Sequence, residues 1–299
     1  MTNSIPRWRK GFAQWTIGEV AYLSIVFSWD AQEAYQRAVF LKQQGYKVMV
    51  GGPGCFHAKQ RRLFDGVAEW GADYPEAVLK HNPAATFAVR GCPVGCYFCI
   101  VPKMEGKKFT YHCDFTPAPI LCDNNLSATN PAYQDFIIRR YQEAGVKMVD
   151  AQSGFEPRTF TDEVYRRWRP LVNEGGGPWR FAYDETAERD EVLEMARILK
   201  DEPASRKRVY VLIGNEPFDD CMKRIYEVID SGCDPHCQAY IKPNASHKSP
   251  VIQYDWTRSR LTDVMRWVNR WVWRKVPFIE FNRNSIPIPV DERQEALAL

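Results

Sequence analysis

Long apolar runs are missing from the sequence. The longest apolar stretch, Val20 to Trp29, contains Ser24 and Ser28 and is too short to cross a bilayer. The N-terminal segment MTNSIPRWRKGF has basic residues but neither an apolar core nor a small-residue cleavage site, so we expect no secretory signal. A cytoplasmic protein without a membrane partner is therefore predicted.

A strong charge of either sign is also missing, since 40 Lys and Arg face 37 Asp and Glu, for a net charge of +3. So small an excess neither favours nor excludes a polyanionic partner. The 45% hydrophobic and 26% charged residues are ordinary for a globular protein and exclude disordered, collagen-like and coiled-coil classes. The 299 residues suffice for one large or two modest domains without disulfides.

The even set of cysteines that a disulfide framework needs is missing as well, because the chain has nine. In a chain of this length without a secretory signal, an odd number does not indicate a secreted disulfide protein. We therefore expect a reducing cytoplasm, where clustered cysteines indicate metal or redox chemistry.

The first part of the chain predicts a β-α-β unit. Residues 19–29 are rich in β-branched and aromatic residues, residues 31–44 have a helical pattern, and a second strand leads into the glycine-rich run 51–54. The right-handed crossover rule makes the two strands parallel. With a boundary near residue 84, residues 1–84 form a small Rossmann-like domain.

Strand-like and helix-like segments alternate after this boundary. The predicted strands are 85–90, 118–123, 147–151, 180–184, 208–213 and 237–241, and the predicted helices are 131–144, 161–173, 187–200 and 217–231. Such alternation predicts an α/β core over residues 85–245, either a parallel sheet or an incomplete barrel. The C-terminal extension, 246–299, contains an amphipathic helix marked by Leu261, Val264, Val268 and Trp271 and an irregular tail with Pro287 and Pro289.

Three cysteines are clustered in RGCPVGCYFCIVPK, with three residues between Cys92 and Cys96 and two between Cys96 and Cys99. Thiolates are the soft ligands that iron–sulfur clusters require, and three of them leave one iron of a cubane open. Zinc is the rival metal, although zinc sites normally use paired C-x-x-C elements or added histidines. The spacing therefore favours an iron–sulfur cluster.

The pattern Cys92-x-x-x-Cys96-x-Phe98-Cys99, which follows the first strand of the α/β series, resembles the signature of the radical S-adenosylmethionine (SAM) superfamily. The resemblance implies a partial (β/α)6 TIM-like barrel over roughly residues 85–243, with a [4Fe–4S] cluster on the three cysteines. It implies that the amino and carboxylate groups of SAM bind the open iron. One-electron reduction would then cleave SAM to methionine and a 5′-deoxyadenosyl radical, which abstracts hydrogen from the substrate.

Other site residues are expected at the carboxyl ends of the strands. After the second strand the superfamily usually has Gly-Gly-Glu, which binds the SAM ammonium, whereas this chain has Asp123, Asn124 and Asn125. These side chains can accept from the ammonium, and the alternative is an Asx turn or a helix N-cap before residue 131.

Four more residues are candidates for binding SAM. Gln152 can reach its carboxylate or ribose, and Asp184 can hold the ribose hydroxyls or, alternatively, cap the next helix. Gly214 lies in a segment that partly resembles the superfamily's adenine region. Phe98 offers the adenine a flat apolar surface beside the cluster.

The catalytic residues are not identified by the sequence. Substrate-side candidates are Tyr240 and Lys242 after the sixth strand and Glu156 after the third, with a solvent-facing rim as the alternative for Tyr240 and Lys242. Of the remaining six cysteines, Cys233 and Cys237 with His236 could form a second metal site, but core packing is the favoured interpretation.

The N-terminal unit resembles a reduced form of the cobalamin-binding domain that precedes some radical SAM cores. Those domains usually contain Asp-x-His-x-x-Gly, and no histidine of this chain lies in such a motif, so cobalamin binding is not expected. The run Gly51-Gly52-Pro53-Gly54 lacks the spacing of known phosphate-binding loops.

The segment 254–275 contains six Arg and Lys against two acidic residues, interleaved with Trp256, Trp267, Trp271 and Trp273. Basic and aromatic residues together suit a nucleic-acid surface. The alternative, which we favour, is a helix that closes the barrel with its tryptophans turned inward.

The sequence thus predicts an oxygen-sensitive radical SAM enzyme with an unidentified substrate and a flavodoxin- or ferredoxin-like one-electron donor. Within this class, modification of a nucleotide or nucleic-acid base, as by methylthiotransferases, and cobalamin-dependent methyl transfer are alternatives. A non-catalytic iron–sulfur or zinc-binding sensor or interaction module is the alternative from another class.

Overall fold

A computed structural model describes residues 5–71, 77–152 and 154–281. The N-terminal sheet has the order β1-β2-β3-β4, formed by β1 (Ala13–Ile17), β2 (Val20–Ser24), β3 (Lys47–Gly51) and β4 (Glu69–Trp70). Strands β2, β3 and β4 are parallel, and helix α1 (Ala31–Gln43) joins β2 to β3, so the predicted β-α-β unit is confirmed. Strand β1 is antiparallel to β2 and was not predicted. The predicted strand over 19–29 is too long, because a 3-10 helix occupies Ser28–Asp30.

The glycine-rich run after β3 lies against the segment that leaves β2. A Cβ atom on Gly52, whose φ is 95°, would come within 2.4 Å of the Ile25 carbonyl oxygen, and one on Gly54 would come within 2.7 Å of the Phe27 backbone. The Gly54 N–H donates to the Ile25 carbonyl at 2.8 Å. Close contact between two backbone segments therefore accounts for these glycines without a phosphate ligand.

Two short helices follow, α2 (Ala58–Arg61) and α3 (Ala77–His81). The apolar side chains of α1, β2 and β3, among them Leu23, Leu41 and Val50, form a core of their own with Phe64. This unit therefore has the packed interior expected of a small α/β domain.

The middle of the chain forms a short parallel sheet in chain order: β5 (Ala85–Thr86), β8 (Ile120–Leu121) and β9 (Asp150–Ala151). Between β5 and β8 lies an antiparallel pair, β6 (Val89–Arg90) and β7 (Thr110–Tyr111), with the short helix α4 (Val101–Met104) in the connection. The strands are much shorter than the predicted ranges, because the ladders contain only two residue pairs each.

A second parallel sheet, also in chain order, contains β10 (Trp179–Tyr183), β11 (Lys207–Ile213) and β12 (Asp234–Ala239). The four predicted helices are present as α5 (Pro131–Ala144), α6 (Asp162–Gly175), α7 (Arg189–Ile198) and α8 (Phe218–Asp230). Side chains cap two of them, since Asn130 accepts from the Ala132 N–H and Thr161 from the Val164 N–H.

The two parallel sheets are adjacent but do not share a ladder. The Phe155 N–H donates to the Arg180 carbonyl at 2.8 Å, and the Arg180 guanidinium pairs with Asp150 at 2.6 Å. A Cβ atom on Gly154 would lie 2.3 Å from the Arg180 oxygen, so the close approach needs glycine here. The mixed α/β class agrees with the prediction, while the described strands form separate small sheets rather than one continuous barrel wall.

The C-terminal helix, α9 (Arg258–Asn269), packs on the second sheet. The Asn269 side chain accepts from the Cys237 N–H at 2.7 Å and donates to its carbonyl at 2.9 Å, which attaches α9 to β12. Leu261, Val264 and Val268 are buried, as the amphipathic pattern predicts, whereas Trp271 comes after the helix ends. The predicted tail with Pro287 and Pro289 lies outside the described residues.

Candidate functional site

The three clustered cysteines lie on the connection between β6 and β7, near the carboxyl ends of the first parallel sheet. Cys92, Cys96 and Cys99 are half-buried free thiols, and we call residues 91–106 the cysteine loop. Its ends are held together, because the Cys92 N–H donates to the Gly106 carbonyl at 3.2 Å. Gly91 has a φ of 90°, and a Cβ atom there would lie 2.3 Å from the Lys108 oxygen, so the loop requires glycine at its entrance.

Glu105 ties the base of the cysteine loop together. It pairs with Arg90, accepts from the Gly91 N–H at 2.9 Å and accepts from the Asn124 side chain at 2.6 Å. Asn124, a predicted SAM ligand, therefore supports the loop. Sequence reasoning missed Glu105, although it is the only carboxylate between Gly91 and Cys113, and that isolation is a usable signal.

Two nitrogen donors approach the thiols. The Asn125 amide lies 3.7 Å from the Cys92 sulfur, and the Arg158 guanidinium lies 3.7 Å from the Cys96 sulfur. Burial raises the pKa of Cys96 to about 11 against the opposing effect of Arg158, and burial also raises the pKa of Cys99. The Cys96 thiol is therefore protonated at neutral pH, and a metal bound there would displace its proton.

The cysteine loop is not a preformed chelate. Over the described ranges, no three His, Cys, Asp or Glu side chains are arranged to hold a metal ion. The three thiols are nevertheless near one another, because, besides burial, Cys92 contributes to the raised pKa of Cys99 and Cys99 to that of Cys96. The donor chemistry fits an iron–sulfur cluster, because all three are free, soft ligands on one loop with N–H donors beside them.

Asp123 supports the strands rather than facing a ligand. It is fully buried, and its Oδ1 accepts from the N–H groups of Ala88 and Val89 at 2.7 and 2.8 Å. Its Oδ2 is buried and finds no hydrogen-bond partner among the described residues. Burial raises the pKa of Asp123 to about 7, against the two backbone hydrogen bonds that lower it.

Asn125 forms the turn that was the alternative to SAM binding. Its Oδ1 accepts from the Ala128 N–H at 3.1 Å, which is an Asx-type turn, while its amide points to Cys92. The other alternative, a cap on α5 by one of the residues 123–125, is wrong because Asn130 caps that helix.

Arg158 connects the cysteine loop to two acidic strand ends. Its Nε donates to Glu156 at 2.5 Å and its guanidinium lies 3.3 Å from Glu188, so Glu156 is engaged in an ion pair. Glu188 in turn accepts from the Asp184 N–H at 2.8 Å. Arg158 was not predicted, because nothing in the sequence around it indicates a thiol 62 residues away.

Asp184 is a candidate carboxylate near the cysteine loop, and its charge contributes to the raised pKa of Cys99. Burial, followed by repulsion from Glu188, raises the pKa of Asp184 to about 7. The alternative role of helix cap is filled by its neighbours, because Glu185 and Glu188 form a capping box at the start of this helical segment. The Asp184 side chain is therefore not needed to start the helix.

The two other candidate SAM ligands lie at strand ends. The Gln152 oxygen accepts from the Cys122 thiol at 3.8 Å, just beyond β9. Gly214 follows β11 with a φ of 85°, and a Cβ atom there would lie 3.3 Å from Leu261. Its carbonyl accepts from the Gln253 amide at 3.0 Å, so C-terminal residues pack directly over this strand end.

A cavity of about 210 Å³ opens beside the last cysteine. Phe98 and Cys99 line it together with Tyr240 and Lys242, so four predicted site residues meet here. Lys103 and His57 also line this cavity, and sequence reasoning missed both. Glu156 is not among its lining residues.

The cysteines outside the loop are mostly part of the interior. Cys55, Cys221, Cys233 and Cys237 are buried, and burial raises the pKa of Cys237 and lowers that of His236 to about 4. Core packing, the favoured interpretation of these thiols, agrees with that burial.

The tryptophans of the C-terminal segment face the protein. Trp256 and Trp267 are almost fully buried, and the Trp271 indole donates to Asp234 at 2.8 Å. Arg260 pairs with Asp255 and Arg274 with Asp234. These contacts favour the interpretation that the helix covers the sheet. They speak against the other interpretation, a nucleic-acid surface on which bases could stack.

Comparison with known proteins gives no family. No family model matches the chain, and no curated protein matches it. Among solved structures, a chain of the tryptophan synthase α2β2 complex from the hyperthermophile Pyrococcus furiosus overlaps 86% of this chain and 85% of its own length. It is 12% identical with a TM-score of 0.31, which is too low to assign a fold. Within the described residues, no helix is long and apolar enough to cross a membrane.

Proposed function

We propose that the protein is a radical SAM enzyme with one [4Fe–4S] cluster held by Cys92, Cys96 and Cys99. The fold proposed with it is a partial (β/α)6 barrel, in which the two parallel sheets together supply six strands in chain order. The observation that carries the proposal is the cysteine loop, whose last cysteine and Phe98 line a cavity with residues that follow the sixth strand.

The protein's own residues would hold the cofactors from two sides. The three thiolates would bind three irons, and Asn125 and Arg158 would donate to the sulfurs of Cys92 and Cys96. Phe98, Asn124, Gln152, Asp184 and Gly214 are the proposed SAM contacts. We propose a supporting role for Asp123, since both strand N–H groups occupy its Oδ1.

When bound, the cluster and SAM supply reductive SAM cleavage and hydrogen abstraction. The chain contributes the arrangement around that chemistry. Cys99, Phe98 and Tyr240 would line the space beside the cluster, and a flavodoxin- or ferredoxin-like protein would deliver the electron.

The test is anaerobic reconstitution followed by reduction with dithionite in the presence of SAM. We expect about four irons per chain and the formation of 5′-deoxyadenosine. Cys92→Ala, Cys96→Ala and Cys99→Ala should each lose the cluster, whereas Cys113→Ala, which removes an exposed cysteine, is the matched control. The proposal fails if the triple variant keeps its iron and its SAM cleavage.

The same experiment separates the other functions. One zinc per chain with no visible absorbance would indicate a zinc-binding module, and a cluster without SAM cleavage would indicate a non-catalytic sensor. Cobalamin-dependent methyl transfer requires that cobalamin binds and changes SAM turnover.

A further inference from the structure

The charged residues that line the cavity beside Cys99 are all positive. Lys103 and Lys242 line it, and none of its described lining residues is Asp or Glu. Two cations without a lining carboxylate favour an anionic ligand group, such as a phosphate.

His57 also lines this cavity, and one of its ring nitrogens is unsatisfied. Its Nε2 is buried and has no hydrogen-bond partner in the part of the chain that the structure describes. The residue stands immediately before α2, so the N-terminal unit supplies it. A buried polar atom without a partner is costly, and a ligand oxygen beside it would remove that cost.

Hydrogen bonds from the N-terminal unit fix the segment that carries Lys242. The Ser28 hydroxyl donates to the Ala245 carbonyl at 2.7 Å, and the Gln60 amide donates to the Asn244 carbonyl at 2.9 Å. Within the segment, the Ala245 N–H donates to the Lys242 carbonyl at 2.9 Å. The backbone of Lys242 is thereby positioned beside the His57 wall.

Aromatic rings form the rest of the lining. Tyr97 and Phe98 contact each other edge to face, with ring centres 5.1 Å apart, and Tyr240 follows the sixth strand. Tyr97 is 58% exposed and therefore offers a free ring surface. Such rings stack on planar heterocycles and make no demand on their hydrogen-bonding pattern.

We propose that this cavity binds a mononucleotide or a nucleotide unit, with its phosphate on Lys103, Lys242 and His57 and its base against Tyr97 or Tyr240. The inference rests on the proposed function in one respect, since it makes this ligand the substrate presented to the cluster. The binding itself requires neither reduction nor SAM.

The experiment is calorimetric titration of the cluster-loaded full chain, without SAM or reductant. Adenosine and cytidine 5′-monophosphates are compared with adenosine, cytidine and inorganic phosphate. We expect the mononucleotides to bind at least about tenfold more tightly than the nucleosides and than phosphate alone. Raising the salt concentration should weaken the binding.

Variants locate the site. Lys103→Met and Lys242→Met should each weaken mononucleotide binding about fivefold or more, and His57→Phe should weaken it as well. Lys223→Met makes the same charge change at an exposed position on α8 and should have no effect. Unchanged melting temperatures would show that the variants are folded.

Each failure has its own meaning. If nucleosides bind as tightly as nucleotides, the proposed contact between the phosphate and the lysines is wrong. If phosphate alone binds as tightly as nucleotides, the proposed contact between the base and the aromatic rings is wrong. A chain that cleaves SAM but binds no mononucleotide overturns this inference alone. A chain that binds mononucleotides through Lys103 and Lys242 but never cleaves SAM overturns the proposed function alone.

Discussion

Asp123 and Asp184 are similar carboxylates with different surroundings. Both follow strands of the α/β core, and burial raises the pKa of each to about 7. One oxygen of Asp123 accepts from two backbone N–H groups. Asp184 instead lies beside Glu188, and its charge contributes to the raised pKa of Cys99. A raised pKa therefore does not distinguish the two roles, because Asp123 supports the strands and Asp184 is a candidate SAM ligand.

Replacing Asp123 tests its supporting role. Asp123→Ala should lower the free energy of unfolding by about 2–4 kcal/mol, because two buried N–H groups lose their acceptor. Asp123→Asn keeps that acceptor and should cost much less. Denaturant unfolding of both variants measures the difference, and equal losses in the two variants would argue against the backbone contacts.

The pH dependence has a definite sign. The folded pKa of Asp123, about 7, lies above its ordinary value of 3.8, so the folded chain binds more protons between these values. The contribution of Asp123 to stability therefore decreases as the pH rises from about 4 through 7. Asp123→Asn should remove this decrease, on the order of 2 kcal/mol or more, and an unchanged pH profile would contradict it.

At the scale of elements, the cysteine loop depends on its base. Glu105 binds Arg90, the Gly91 N–H and Asn124, so one carboxylate joins the entrance, the exit and the neighbouring strand end. The thiols themselves have fewer contacts. The contacts that stabilise this element are therefore concentrated at its base rather than around the three thiols.

Two glycines of the loop give a matched pair of variants. Gly91→Ala would force a positive φ and a 2.3 Å approach to the Lys108 oxygen, which should cost about 1–3 kcal/mol and weaken cluster retention. Gly95→Ala meets only the flexible end of Lys107 at 3.8 Å and serves as the control. Thermal unfolding and iron content per chain are the measurements. Equal behaviour of both variants would contradict a role for the loop entrance.

Sequence reasoning predicted the elements that have local signals. The pattern over residues 131–144 predicts α5 with its bounds, and cysteine spacing alone identifies the loop. The strand lengths were not predictable, since the first sheet keeps two-residue ladders where apolar runs suggested five or six residues. Arg158 contacts a thiol 62 residues away, and His57 shares a cavity with residues far along the chain, so no local pattern could indicate either role.

At the scale of the molecule, the N-terminal unit is attached to the α/β core through residues 244–246. Ser28, Lys59 and Gln60 all bind this short segment. The N-terminal unit therefore has a structural connection to the candidate substrate cavity.

Removing these contacts should release the segment. The double variant Ser28→Ala, Gln60→Ala should increase amide hydrogen exchange over residues 242–247 about thirtyfold, since the two hydrogen bonds together contribute about 2 kcal/mol. Lys42→Met removes a bond to the Gly66 carbonyl inside the N-terminal unit and should leave the segment unchanged. Exchange that is equal in the two variants would show that the segment is held by other means.

The closed base of the cysteine loop has a consequence for assembly. Because Gly106 already binds Cys92 and Glu105 already holds Gly91, the ends of the loop meet before any metal arrives. The chain-entropy cost of that closure falls on protein folding rather than on cluster formation. For the proposed cluster, the three sulfurs would thus have a high effective concentration for one another, and a first captured iron would raise the chance of the next.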